Sequence, residues 1–302
     1  MRKDDSLEGE SLTTHRKEPR LRGPGVPTFL IFTDLDGTLL DHNTYRWEEA
    51  KPALAQCSSL QVPVVLVSSK TRAEMDVLRA EMGLSWPFIS ENGGGIFFPK
   101  EETPGPPPGA TIEKNTWKWS LGLPYERLVD ALREIRKALR WNIRGFSDMT
   151  PEEICRLTGL DPESGRLAAM REFDEPFIIK EPEKIDLNLL HDAARRRGLH
   201  ITTGGRFHHL QGKNDKGEAV EKLISWYKQL PSYPITIALG DSPNDFSMLK
   251  RVDHPVLVRT SRHFPEIEQE VPGLRITRET GPRGWNEAVL ELLGAKSKGG
   301  IS

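Results

Sequence analysis

Four aspartates stand where a bare carboxylate is costly. Asp34 and Asp36 follow the apolar run "TFLIFT", and Asp241 and Asp245 follow a second one, "ITIALG". Charge at the end of a buried strand needs either a compensating cation or chemical work to do. In an open parallel sheet, ligands bind at the carboxyl ends of strands. If the two strands are neighbours, the four side chains converge on one volume. Oxygen ligands without a cysteine or a histidine cluster favour Mg²⁺, which keeps waters and binds beside phosphate.

Two further residues suit a phosphate. Ser68 ends the run "VPVVLV" and can donate a hydrogen bond, and Lys216 opens a helix where it can neutralise phosphate charge. Lys213 is its rival in "GKNDKG". A calcium loop of the EF-hand kind is excluded, because Gly37 comes directly after the second aspartate and the flank is a strand. A Walker loop fails too: "GRFHHLQGKN" has the wrong spacing and lacks Ser or Thr after its lysine.

The elements that must hold these residues alternate. Strand 28–33, helix 46–57, strand 62–69, a helix ended by Gly83 and the short strand "PFIS" predict a doubly wound, mostly parallel, Rossmann-like α/β core. The near-continuous β-branched run at 62–69 fits a strand buried on both faces. Residues 99–110 are Pro/Gly-rich and read as a loop between "GIFF" and "NTWKWS". A block at 118–204 then mixes helices with strands and reads as an inserted α+β domain. One of its helices starts at Thr150, with Pro151 at the first position and Glu153 completing a capping box. From 213 the α/β alternation returns. The expected organisation is a charged tail at 1–26, a core at 27–117, the insert at 118–204 and the rest of the core at 205–302.

Composition excludes several classes of function. The 302 residues carry a net charge of -2, without the basic excess of a nucleic-acid binder. No apolar run approaches the roughly 18 residues of a membrane span. The tail has no apolar segment of a secretory signal, and five acidic residues argue against a transit peptide. Two cysteines, Cys57 and Cys155, make no disulfide framework, which predicts a reducing cytoplasm.

"DLDGT", Ser68, Lys216 and "GDSPND" resemble, in order, the four motifs of haloacid-dehalogenase-superfamily phosphatases. The resemblance implies phosphoryl transfer through an aspartyl phosphate. Asp34 is then the nucleophile and Asp36 the acid and base, while Ser68 and Lys216 grip the phosphoryl oxygens. Mg²⁺ would be held by Asp34, the Asp36 main-chain carbonyl and Asp241, with Asp245 orienting the group. The insert falls where that superfamily carries a C2-type cap.

"SENGGG", "RGFSDMTPEEICRLTGL", "REFDEPF" and "TGGRFHHL" further resemble the mannosyl-3-phosphoglycerate phosphatase family, whose product is a compatible solute. That resemblance implies a small-molecule sugar phosphate as partner. It nominates Arg171 and Arg206 for the carboxylate or phosphate, Asn92 and Gly93 for close approach, and Glu172 and His208 for sugar hydroxyls. A glucosyl-3-phosphoglycerate or sucrose-phosphate phosphatase, a phosphomannomutase and a non-catalytic sugar-phosphate sensor are the alternatives.

Overall fold

The computed structural model describes residues 29–100, 107–113, 115–181, 186–204, 207–229 and 234–295. The expected tail at 1–26 and Arg206 lie outside the described residues. In chain order the elements are β1 (Phe29–Thr33), α1 (Lys51–Ser59), β2 (Val64–Val67), α2 (Arg72–Met82), β3 (Phe88–Ser90), β4 (Gly95–Pro99), β5 (Thr111–Glu113) and β6 (Thr116–Ser120). Next come α3 (Tyr125–Leu139), β7 (Ile143–Gly145), α4 (Pro151–Thr158), α5 (Pro162–Ala168), β8 (Asp174–Ile179), α6 (Leu187–Arg195), β9 (His200–Gly204) and β10 (Phe207–Gln211). The chain ends with α7 (Lys216–Tyr227), β11 (Ile235–Gly240), α8 (Phe246–Leu249), β12 (His254–Arg259), α9 (Pro265–Glu270), β13 (Arg275–Thr280) and α10 (Gly281–Ala295).

A nine-stranded sheet runs β13-β12-β11-β1-β2-β3-β4-β6-β5. Its pairs are parallel from β13 to β3 and antiparallel from β3 to β5. β1 explains its own sequence. Phe29 and Ile31 pack toward α1, α2 and α10, while Leu30 and Phe32 pack toward α7, α8 and α9. A strand covered on both faces needs apolar residues at every position, and periodicity gives way to a continuous run. The doubly wound core is as the alternation predicts.

The second sheet, β7-β8-β10-β9, is antiparallel. Helices α3 and α6 cover one face with Leu128, Leu132, Ile135, Leu190 and Ala194, against Phe177 and Leu210. The Thr150 capping box forms as expected, with Glu153 N–H donating to Thr150 Oγ1 at 3.3 Å. Strand pairing suggests two different boundaries for the insert. Residue 118 lies inside β6, which pairs with β4 along its length because Trp117 and Trp119 pack on the core. β10, placed after 204, is the inner strand between β8 and β9. By strand pairing we therefore place the cap at 121–212.

Candidate active site

The two apolar runs are neighbours. β1 pairs in parallel with β11 from Phe29 to Thr33, and Asp34 N–H continues the ladder to Leu239 O at 2.9 Å. Both chains thus arrive at one sheet end carrying aspartates. Beyond Asp34 the chain turns through Gly37, at φ 87°. A Cβ there would lie 2.6 Å from Asp241 Oδ2, so only glycine lets this turn approach the second strand. Thr38 Oγ1 then donates to Asp241 Oδ1 at 3.1 Å.

Asp34, Asp241 and Asp245 each offer an oxygen within 4.8 Å of the others. Lys216, at the start of α7, places its ammonium 2.6 Å from Asp34 Oδ1 and 2.7 Å from Asp245 Oδ1. It is 1% exposed, whereas Lys213 is exposed to solvent. Of the two lysines, Lys216 is the one that stands inside the carboxylate cluster. Asp245 Oδ2 accepts from the N–H groups of Asp241 and Ser242, at 3.0 and 3.1 Å, and so braces the turn after β11.

One ammonium among three carboxylates leaves two negative charges uncompensated. Burial and the Asp245 charge raise the Asp34 carboxyl well above its ordinary value, although Lys216 opposes them. Burial, then Asp245, pushes Asp241 up to about 6. Burial alone would depress Lys216, but the Asp245 and Asp34 carboxylates hold it well above normal. A divalent cation suits this deficit in charge and in its all-oxygen donors.

The Asp36 side chain stands apart from that cluster. Its Oδ2 meets Lys70 Nζ at 2.9 Å. Lys70 N–H donates to Ser68 Oγ at 3.2 Å, so Ser68, Lys70 and Asp36 form one corner of the site. Asn92 and Gly93 lie between Ser68 and the start of α7. Asn92 N–H donates to Ser68 O at 3.0 Å, and its Oδ1 accepts from Asn244 Nδ2 at 3.5 Å. Glu91, Asn92 and Gly93 all adopt positive φ, at 47°, 54° and 92°. A Cβ on Gly93 would stand 2.2 Å from Asp215 O, the residue before Lys216.

Two of the cap nominees, Arg171 and Glu172, make contacts within the protein. The Arg171 side chain is 5% exposed, donating to Ser69 O at 3.1 Å and to Asp174 Oδ2 at 3.0 Å. The N–H groups of Glu172 and Phe173 donate to the Glu91 carboxylate, at 3.0 and 2.8 Å, and the Glu172 side chain pairs with Lys118. Burial, opposed by Arg171, pushes Glu91 up to about 7. Phe173 itself packs in the core beside Phe88 and Phe97. These contacts clip the α5–β8 loop of the cap onto the core.

His208 lies on the helix-covered face of the cap sheet. Its ring stacks on Phe177, 5.3 Å away, on the sheet face that α3 and α6 cover. His209 projects from the other face and meets Asp174 Oδ2 at 2.7 Å, beside Arg171. Lys70 and Glu91 were missed at the level of sequence. Lys70 lies two residues after Ser68 in "SSKT", and Glu91 directly precedes Asn92 in "SENGGG".

A sheet with two strand-end aspartate groups, a buried lysine and an inserted cap defines a hydrolase class. The haloacid dehalogenase-like hydrolase family model matches residues 31–104 and 196–264. A glucosyl-3-phosphoglycerate/mannosyl-3-phosphoglycerate phosphatase of Methanococcoides burtonii is 42% identical over 270 residues, 88% of this chain and 97% of the relative. A mannosyl-3-phosphoglycerate phosphatase of Pyrococcus horikoshii is 33% identical over 78% of this chain and 92% of its own. A solved structure from Thermoplasma acidophilum shares the fold, with a TM-score of 0.65 at 19% identity, over 89% of this chain and 99% of that one. The chain belongs to the haloacid dehalogenase-like hydrolases and, within them, to the family of glucosyl- and mannosyl-3-phosphoglycerate phosphatases.

Proposed function

We propose that the protein hydrolyses mannosyl-3-phosphoglycerate to mannosylglycerate and phosphate, in the making of a compatible solute. The observation that carries the reaction is the Lys216 ammonium shared by Asp34 and Asp245, with Asp241 beside them. The substrate rests on the names of relatives at 33% and 42% identity. Relatives named for both sugars, at 42% and 40% identity, favour a second reading in which the glucosyl ester is also accepted.

Asp34 attacks phosphorus and forms an acyl phosphate as the bond to the departing oxygen breaks. Asp36 gives that oxygen a proton, then takes one from the water that cleaves the acyl phosphate, so the second step restores the carboxylate and the acid. Lys216 and the Ser68 hydroxyl hold the phosphoryl oxygens, and Asn92 and Gly93 border the same volume. Mg²⁺ would be held by Asp34, Asp241 and the Asp36 main-chain carbonyl, with Asp245 orienting them, and supplies positive charge against the phosphoryl group. Both cysteines are free, which supports a reducing, cytoplasmic setting.

Acid quenching of an Asp36→Asn variant during turnover tests the mechanism. The account expects a phosphoryl group on the peptide holding Asp34, labile to hydroxylamine. A variant that turns over normally, with no such adduct at any time, contradicts it.

A further inference from the structure

A 3-phosphoglycerate ester has a carboxylate one carbon from the phosphorylated carbon. The departing oxygen must lie against Asp36, so this carboxylate falls in the same corner. Among the described residues, several cations near the cap seam already have partners. Lys216 is enclosed by Asp34 and Asp245. Of the two arginines nominated from sequence, Arg206 lies outside the described residues, and Arg171 already donates to Asp174 and Ser69. Lys118 is paired with Glu113 and Glu172, and Arg72 with Glu113.

Lys70 differs from these among the described residues. It lies 2.9 Å from the acid and base, Asp36, with a side chain 14% exposed. An ammonium has three donors, and Asp36 is the one carboxylate within ion-pair distance of it among the described residues. Glu74, the next acid along α2, is turned away to the N–H and hydroxyl of Thr71 in a capping box. On the solvent side, the ring of Tyr45 lies 5.3 Å from the ammonium. Tyr45 is half-exposed in left-handed backbone, at φ 56°, held by its N–H to Asp41 O at 2.9 Å. A non-glycine residue fixed in that region commonly marks a functional loop.

Resting on the phosphatase reading above, we propose that Lys70 recognises the carboxylate of the departing group, bridging it to Asp36 under the ring of Tyr45. Specificity for a carboxylate-bearing ester would then come from the core itself, at the residue after Ser68 and Ser69. The same ammonium registers the substrate against the group that protonates its oxygen.

The test compares mannosyl-3-phosphoglycerate with its carboxyl methyl ester, on wild type, Lys70→Met and Lys70→Arg, with Mg²⁺ present. Wild type should favour the free acid in kcat/KM by about 30-fold, the worth of one charge-assisted contact. Lys70→Met should lose most of that preference, and Lys70→Arg should keep part of it. A Lys70→Met variant that loses rate equally on both esters would assign Lys70 to Asp36 or phosphate alone and overturn the inference. Wild type that does not prefer the acid overturns it without any variant. Wild type inert on both esters would instead overturn the phosphatase reading and take the inference with it.

Discussion

The ammonium of Lys216 stands 2.6 Å from Asp34 and 2.7 Å from Asp245, bridging the aspartate after β1 to the one after β11. One residue from a third element, α7, thereby fixes the distance between the two strand ends. Removing it leaves the buried Asp34 and Asp245 carboxylates without their cation. Lys216→Met should lose about 3–5 kcal/mol of stability in urea unfolding without metal, and kcat should fall by about 10²–10³. A variant of unchanged stability and turnover would show that the bridge has no such role.

The same cluster predicts how pH and metal interact. The carboxyl of Asp241 sits at about 6 in the folded chain against an ordinary 3.8, and Asp34 is raised as well. A carboxyl raised by folding favours the folded state while protonated. Its contribution is therefore full below pH 3.8 and is lost as pH climbs through about 6. Metal-free protein should lose stability across that window, and a cation bound by the deprotonated group should restore it. Saturating Mg²⁺ should raise Tm by about 5 °C at pH 8 and by far less at pH 5. Equal shifts at both values would place the metal elsewhere.

Gly93 tests the seam between two of the motifs. With φ at 92° and a virtual Cβ 2.2 Å from Asp215 O, an alanine forces either its own turn or the start of α7 to move. Gly93→Ala should cost about 1–3 kcal/mol and lower kcat through displacement of Lys216. An unchanged urea midpoint and an unchanged kcat would contradict this.

The cap clip makes a prediction of its own. Phe173 comes from the cap yet packs in the core, and Glu91 holds the N–H groups of residues 172 and 173. Phe173→Ala should raise KM and speed hydrogen exchange at residues 171–175, while β1 and β11 stay protected. Exchange that speeds up evenly through both sheets would show a plain loss of core packing, at about 3–5 kcal/mol.

These residues also show what the sequence discloses. β1 and β11 are legible because burial on both faces leaves an unbroken apolar run, and charge at such a run's end has few uses. The partners of Arg171 are not legible in the sequence, because Ser69 O and Asp174 lie on two different segments of the chain. His208 and His209 show how little a local reading says about a cap strand. Alternation puts them on opposite faces, but only the packing of α3 and α6 decides which face is covered. Lys70 escapes notice for the same reason: a lysine after two serines looks like a solvated charge until Asp36 is found beside it.

The central claim is most directly tested by phosphate release, with and without Mg²⁺, from mannosyl-3-phosphoglycerate, its glucosyl analogue and mannose 6-phosphate. The account predicts Mg²⁺-dependent release from the first two, with kcat/KM at least about 100-fold above that for mannose 6-phosphate. Equal rates on all three, or phosphate passed between sugar positions without release, would contradict it.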